Sequence, residues 1–174
     1  FNASQTIVYD LGVLGVGDYE VTVIYNGNAK YNATNITKTF SIGKISDYNV
    51  TLNTTDVVAG ENSTLVIVLP EDATGVVNVT VGKDSYKANV TDGVASVKIN
   101  SLIAGDYKVN VTYSGDKTYE VSNNVFNLAV NPMKVNLNIS DVVMFYRDGT
   151  RMVAILTDIK GNPIANATLY FTIN

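Results

Sequence analysis

The side chains that most often perform nucleophilic or metal chemistry are absent from this sequence. It contains no cysteine and no histidine, which excludes Ser-His-Asp triads, thiol nucleophiles, disulfides and the usual zinc sites. Carboxylates remain, which could cleave a sugar as a pair or bind calcium as a loop cluster. The best placed acids, Glu71, Asp72, Asp84 and Asp92, lie in predicted turns and match no calcium-loop spacing. We therefore expect no catalytic residues, no cofactor and no metal site.

Asparagine is the one residue type whose spacing indicates a modification. The triplet Asn-x-Ser/Thr, which N-glycosylation requires, occurs repeatedly along the chain. Six such asparagines alternate with apolar neighbours and are predicted to point outward: Asn49, Asn53, Asn78, Asn89, Asn110 and Asn138. This placement predicts glycosylation of an extracellular protein, although a surface rich in Asn and Thr also produces such triplets by chance.

Aromatic residues could form a contact surface for a sugar or a partner protein. Tyr113 and Tyr119 stand at the two ends of the predicted loop YSGDKTY. Aromatic rings at the end of a sandwich can stack on the faces of sugar rings. The same pattern recurs in the loop YNGNAKY, which favours a structural role. Phe145 and Tyr146 begin FYRDGTR, the segment that least resembles the rest of the chain, and are the second candidates.

These side chains must be positioned by a repeated unit. The stretch GDYEVTVIYNGNAKYNATN from Gly17 aligns without a gap on GDYKVNVTYSGDKTYEVSN from Gly105, 88 residues later. A second pair, VTLNTTDVVAGENSTLVIVL from Val50 and VNLNISDVVMFYRDGTRMVAIL from Val135, differs by two inserted residues. We therefore predict the C-terminal half of a repeat in residues 1–43, a complete repeat in 44–131 and the N-terminal half of a further repeat in 132–174.

Within the complete repeat, apolar residues alternate with polar ones in short runs separated by turn residues. These runs are residues 48–52, 65–69, 77–81, 86–90, 94–99, 107–113 and 125–130. About seven short strands of this kind are typical of an antiparallel sandwich. No stretch shows a helical period, so the sequence predicts an all-β fold of tandem immunoglobulin-like (Ig-like) β-sandwich repeats.

The motif Leu-x-x-Gly-Asp-Tyr, present in two repeats, has a structural explanation. In Ig-like sandwiches a tyrosine near the start of strand F folds over the preceding corner, and its hydroxyl bonds to the backbone a few residues upstream. We expect the leucine to fill the core, the glycine to permit the turn and the tyrosine to form this corner. The residues are Leu14, Gly17 and Tyr19 in one repeat and Leu102, Gly105 and Tyr107 in the next.

Charge and hydropathy exclude two classes of partner. Charged residues make up 16% of the chain, its net charge is −4 and it has no basic run, so nucleic acid is not an expected partner. No apolar run approaches the roughly 20 residues that cross a membrane, so no membrane span is expected.

The motifs resemble a known group of repeats. LIAGDYKVNVTYSGDKTYEVSNN resembles the Ig-like repeats of methanogen, and so archaeal, adhesin-like surface proteins, which are related to bacterial Ig-like repeats. MFYRDGTRMVAILTDIKGNPIANATLYFTIN is similar to another repeat type of the same large proteins. The resemblance implies an extracellular stalk or adhesin at the cell wall, and it supplies no catalytic residues.

Three functions are compatible with these features. A structural spacer that carries an adhesive region away from the cell wall is favoured, because each tandem unit adds length. A module that binds a glycan or another cell surface would need exposed aromatics clustered on one face. An enzyme would need a cleft and an acid with a perturbed pKa.

Each of the two half repeats would expose strand edges and an apolar face if it stood alone, so each is expected to pair with further strands. One hypothesis is that the C-terminal half of one chain pairs with the N-terminal half of the next in a head-to-tail filament. The alternative, slightly favoured because the halves resemble different repeat types, is that adjoining repeats of the same polypeptide continue them.

Overall fold

The computed structural model describes residues 6–173, which form twelve β-strands. They are β1 (Gly17–Tyr25), β2 (Thr34–Ile42), β3 (Thr51–Thr54), β4 (Val57–Val58), β5 (Ser63–Val68), β6 (Val76–Val81), β7 (Asp84–Asn89), β8 (Val94–Ile99), β9 (Gly105–Tyr113), β10 (Ser122–Asn131), β11 (Val135–Ile139) and β12 (Ala154–Asp158). Over this range there is no helix, and so no helix that could cross a membrane.

Strands β3 to β10 build one sandwich, which we call the middle sandwich. One sheet has the strand order β3-β5-β8 and the other has the order β4-β10-β9-β6-β7. Alternating valine, leucine and isoleucine side chains of both sheets point inward and form one core, as the alternation in the sequence predicts. Its most buried members include Leu65, Ile67, Val77, Val79, Ile99, Val109, Val111 and Tyr113.

One strand of the middle sandwich was missed by the sequence prediction. Val57 and Val58 form β4 and pair in parallel with Val130 and Asn131 at the end of β10. The preceding strand, β3, pairs with β5 in the opposite sheet. The chain therefore crosses from one sheet to the other within a few residues. A strand of two residues is too short for alternation to reveal.

The first part of the chain, residues 6–43, contains one hairpin that copies β9 and β10. β1 pairs with β2 in the same register, so that Tyr25 lies opposite Thr34 as Tyr113 lies opposite Ser122. No other described strand covers the inward face of this hairpin. As a result Val23 is 61% exposed, whereas its equivalent Val111 is 1% exposed.

The third part of the chain, residues 132–173, contains the equivalent of β3 and β5. Strands β11 and β12 pair with Leu137 opposite Leu156, and this two-stranded sheet is likewise joined to no further strand among the described residues. Val135, Leu137 and Ile139 of β11 are therefore largely exposed.

The first and third parts contact opposite ends of the middle sandwich. At one end Leu14 and Ile42 of the first part line a groove with Thr118, next to the parallel bridge between Ile45 and Tyr119. At the other end Lys160 of the third part lies 2.8 Å from a carboxylate oxygen of Glu61. The nine-residue strand β9 runs between these ends, which places them about 30 Å apart at roughly 3.3 Å per residue.

Candidate functional site

The two Leu-x-x-Gly-Asp-Tyr motifs have matching geometry. The hydroxyl of Tyr107 donates a hydrogen bond to the carbonyl of Ile103 at 3.1 Å, and Tyr19 donates to the carbonyl of Gly15 at 2.8 Å, each four residues upstream. Gly105 has a φ of 150° and Gly17 a φ of 157°, values that residues with a Cβ rarely adopt. The tyrosine hydroxyl thereby ties each loop to the start of its strand.

The leucines of these motifs differ in their surroundings. Leu102 is partly buried and packs against the core of the middle sandwich. Leu14 is also half-buried, and it lies in a groove with Ile42, Ile45 and Thr118. Leu14 therefore belongs to the contact between the first part and the middle sandwich.

Tyr113 and Tyr119 do not form a contact surface, and that prediction is wrong. Both are buried in the middle sandwich, and Tyr113 is 0% exposed. Tyr113 points inward because it shares its strand face with Val109 and Val111, and its hydroxyl donates to the carbonyl of Thr74 at 2.6 Å. Burial, together with the nearby Asp116 carboxylate, raises the pKa of the Tyr113 hydroxyl.

Tyr119 is held by residues that are distant in the sequence. Its hydroxyl donates to Asp72 at 2.6 Å, and its ring packs edge-on against Tyr48 at a centroid distance of 5.1 Å. The hydrogen bond to Asp72 and partial desolvation raise the pKa of Tyr119 to about 12. Because Tyr119 is only 7% exposed, its ring has no free face for a sugar.

Asp116 organises the loop between β9 and β10, and the sequence analysis did not identify it. One carboxylate oxygen accepts the N–H groups of Thr118 and Tyr119, each at 2.8 Å, and the other accepts the N–H of Thr74 at 2.7 Å. Desolvation opposes ionisation, but these donors hold the pKa of Asp116 well below its usual range.

The repeat in the sequence contains a local indication of this turn, at the position equivalent to Asp116. Asn28, which is equivalent to Asp116, accepts the N–H groups of Lys30 and Tyr31 in the same arrangement. An Asn or Asp that follows Gly in this position forms an Asx-type turn. The bond from Thr74 was not predictable locally, because it comes from a loop 42 residues away.

Phe145 and Tyr146 lie on an exposed loop between β11 and β12. Phe145 is 75% exposed and Tyr146 is 88% exposed. The guanidinium of Arg147 stacks on the Tyr146 ring at 4.9 Å from the centroid. Asp148 accepts the N–H groups of Phe145 and Thr150, and these two bonds lower its pKa. The loop is thus a closed turn that presents two rings to solvent.

The six outward asparagines are all exposed. The positions are Asn49, Asn53, Asn78, Asn89, Asn110 and Asn138, which lie on or beside strands of the middle sandwich and the third part. Their side chains are accessible, and whether they carry glycans stays a prediction.

The acidic residues form no recognisable centre. Over residues 6–173, no group of three or more His, Cys, Asp or Glu is arranged to hold a metal ion. Asp72 and Asp116 line an open groove together with Lys44 and Lys117, but both carboxylates already accept hydrogen bonds from the sandwich itself. We find no catalytic constellation at this groove.

Comparison with known proteins agrees with the fold. Residues 50–131 match the family of the bacterial Ig-like domain (group 3). Together with the two packed sheets, this match confirms the predicted all-β, Ig-like fold.

One similar protein is a bacterial adhesin. The chain is 29% identical over 188 residues to the inverse autotransporter adhesin YeeJ of Escherichia coli (strain K12). The alignment covers 99% of this chain and 8% of that protein, so this chain spans a small fraction of its relative. This relative is bacterial, and the methanogen source implied by the sequence motifs stays a prediction.

Proposed function

We propose that this chain is part of a non-catalytic stalk of a cell-surface adhesin, in which Ig-like units space an adhesive region from the cell wall. The observation that carries the proposal is the placement of the first and third parts at opposite ends of the middle sandwich. Units that enter at one end and leave at the other extend a chain linearly. The similarity to an adhesin supports it.

The Ile45–Tyr119 bridge supports a stalk of limited flexibility. Ile45 accepts from the N–H of Glu120 at 3.0 Å and donates its own N–H to Thr118 at 2.8 Å. Backbone bonds on both sides of one residue hold the connection next to the sandwich. A spacer benefits from such contacts, because its reach depends on how little it bends at each junction.

The test is an in-frame deletion of residues 44–131 from the surface-displayed parent protein. This removes one 88-residue period and leaves the register of the remaining repeats intact. A spacer predicts that adhesion to a planar surface persists, while the distance between the cells and that surface decreases. Complete loss of adhesion with unchanged surface display would contradict the proposal and favour a binding role for this unit.

The exposed loop gives a second candidate function, the binding of a glycan or a partner cell surface. Two exposed rings beside two arginines, Arg147 and Arg151, are its support. The measurement is binding of the purified chain to an immobilised glycan panel, with the double variant Phe145→Ser/Tyr146→Ser as the test. Tyr9→Ser is the matched control, since Tyr9 is also highly exposed but lies outside the loop.

We further propose an extracellular, cell-wall location with N-glycosylation of the outward asparagines. The support is their exposure and the Asn-x-Ser/Thr spacing. Proteolytic peptides that contain these asparagines, released from the parent protein of the native host, should have masses above those of their sequences, and Asn→Gln substitution should remove the excess stepwise. An unmodified native mass would overturn this part.

A further inference from the structure

The loop between β1 and β2 contains a dipeptide that occurs only once in the sequence. Asn26 is followed by Gly27, and no other asparagine is followed by glycine. The six outward asparagines all precede valine, threonine or isoleucine, whose branched Cβ crowds the backbone nitrogen. Glycine has no Cβ, so the side chain of Asn26 can approach the nitrogen of Gly27 closely.

Both groups of this dipeptide are accessible. Asn26 is exposed. The ladder between β1 and β2 ends at the pair Tyr25–Thr34, so the N–H of Gly27 lies beyond it and donates to no backbone acceptor within residues 6–173. A hydrogen-bonded nitrogen would first have to lose its acceptor before it could act as a nucleophile, and the nitrogen of Gly27 does not.

The complete unit has the same loop geometry, so these features do not depend on the uncovered face of the hairpin. Gly115 is equivalent to Gly27, with a φ of 67° against 78°, and its N–H likewise donates to no backbone acceptor among the described residues. Ser114, equivalent to Asn26, is exposed and accepts the N–H of Val76 at 3.0 Å. A donor of this kind would withdraw electron density from an amide carbon in the place of Ser114.

We propose that Asn26 is a site of spontaneous deamidation, with water as the only co-reactant. Hydroxide removes the proton of the Gly27 N–H, and the nitrogen attacks Cγ of Asn26. A C–N bond forms, the Cγ–Nδ2 bond breaks, and ammonia leaves with a proton from water. Water then opens the five-membered imide. Cleavage of the new C–N bond gives aspartate, and cleavage of the original peptide bond gives isoaspartate, whose main chain runs through Cβ and Cγ.

The two products differ in their effect on the loop. Both add a negative charge, but only isoaspartate lengthens the main chain. The loop is too tight for this, because a Cβ on Gly27 would lie 2.7 Å from the nitrogen of Ala33 and 2.9 Å from the carbonyl oxygen of Tyr31. We therefore expect isoaspartate to open the turn in which Asn28 accepts the N–H groups of Lys30 and Tyr31.

The test is incubation of the purified chain at physiological temperature and mildly alkaline pH, followed by proteolysis and mass spectrometry. The peptide with Asn26 is expected to gain the mass difference between OH and NH₂ and to separate into aspartate and isoaspartate forms. Isoaspartate forms only through the ring, so it identifies the Gly27 nitrogen as the nucleophile. Asn110, exposed but followed by Val111, is the internal control. An Asn26 peptide that changes no faster than the Asn110 peptide, or that yields aspartate alone, would overturn the proposal.

Two variants and the pH dependence complete the test. Asn26→Ser copies the loop of the middle sandwich and is expected to show no mass gain in this peptide. The wild-type rate is expected to rise with hydroxide concentration, and equal rates at neutral and mildly alkaline pH would contradict attack by the deprotonated nitrogen. Asn26→Asp carries the charge of the products on a normal main chain. Amide exchange in residues 27–33 is expected to be faster in the isoaspartate form than in Asn26→Asp, and equal exchange would contradict opening of the turn.

Discussion

At the scale of single residues, the two tyrosine corners offer a direct test of a repeated hydrogen bond. Tyr107→Phe removes the bond to Ile103 and nothing else, since the ring is retained. We expect it to lower the free energy of unfolding of the middle sandwich by about 1 kcal/mol. Urea denaturation followed by circular dichroism measures this. Tyr146→Phe, at an exposed ring, is the control, and an equal shift in both would show that the corner bond contributes nothing.

The lowered pKa of Asp116 predicts that the stability of the middle sandwich depends on pH. Its pKa in the folded state is lower than in the unfolded chain, where it is near 3.9. The stabilisation is therefore fully present above about pH 5 and is lost as the pH falls through the folded-state pKa. Asp116→Asn keeps one acceptor oxygen, as Asn28 does, but it sets an amide N–H₂ against the N–H of Thr74.

For Asp116→Asn we expect a loss of about 1–2 kcal/mol at neutral pH and a flatter stability profile below pH 5. Urea denaturation at a series of pH values, with the wild type and the variant in parallel, is the measurement. Parallel profiles for the two proteins would show that another carboxylate is responsible for the loss of stability in acid.

At the scale of strands, the same substitution at equivalent positions of β1 and β9 shows how strongly burial determines its effect on the free energy of unfolding. Val111→Thr places a hydroxyl in the core with no partner, and we expect a loss of about 1–3 kcal/mol for the middle sandwich. Val23→Thr makes the same change on the exposed hairpin, and we expect it to leave that unfolding transition unchanged. A similar loss in both variants would contradict the assignment of the core to residues 44–131.

The same strands show what could be predicted from the sequence. Alternation and the repeat located seven of the eight strands of the middle sandwich, and β4 escaped because two residues carry no period. Tyr113 shares the parity of Val109 and Val111, and this parity, like the recurrence of the tyrosine in the repeat, indicates the inward position that the structure shows. The Tyr119–Asp72 bond spans 47 residues, so no local pattern could indicate it.

At the scale of the whole molecule, stability is unevenly distributed. Isolated two-stranded hairpins are marginal in water, whereas the middle sandwich has a closed core. At low concentration we expect rapid amide exchange in β1, β2, β11 and β12 and slow exchange at equivalent positions of β9 and β10. Hydrogen–deuterium exchange with peptide mapping measures both at once. Protection of β1 equal to that of β9 in the dilute chain would contradict this distribution.

The parallel pairing of β4 with β10 has a mechanical consequence. The chain enters the middle sandwich beside Tyr119 and leaves it after Asn131, at the opposite end. A pull on the two neighbours therefore draws the first and last segments of the unit in opposite directions along their length. The hydrogen bonds of the β4–β10 ladder and of the Ile45–Tyr119 bridge lie across that direction. They are strained in shear together rather than peeled apart one after another, which is the arrangement in which a short ladder resists force best.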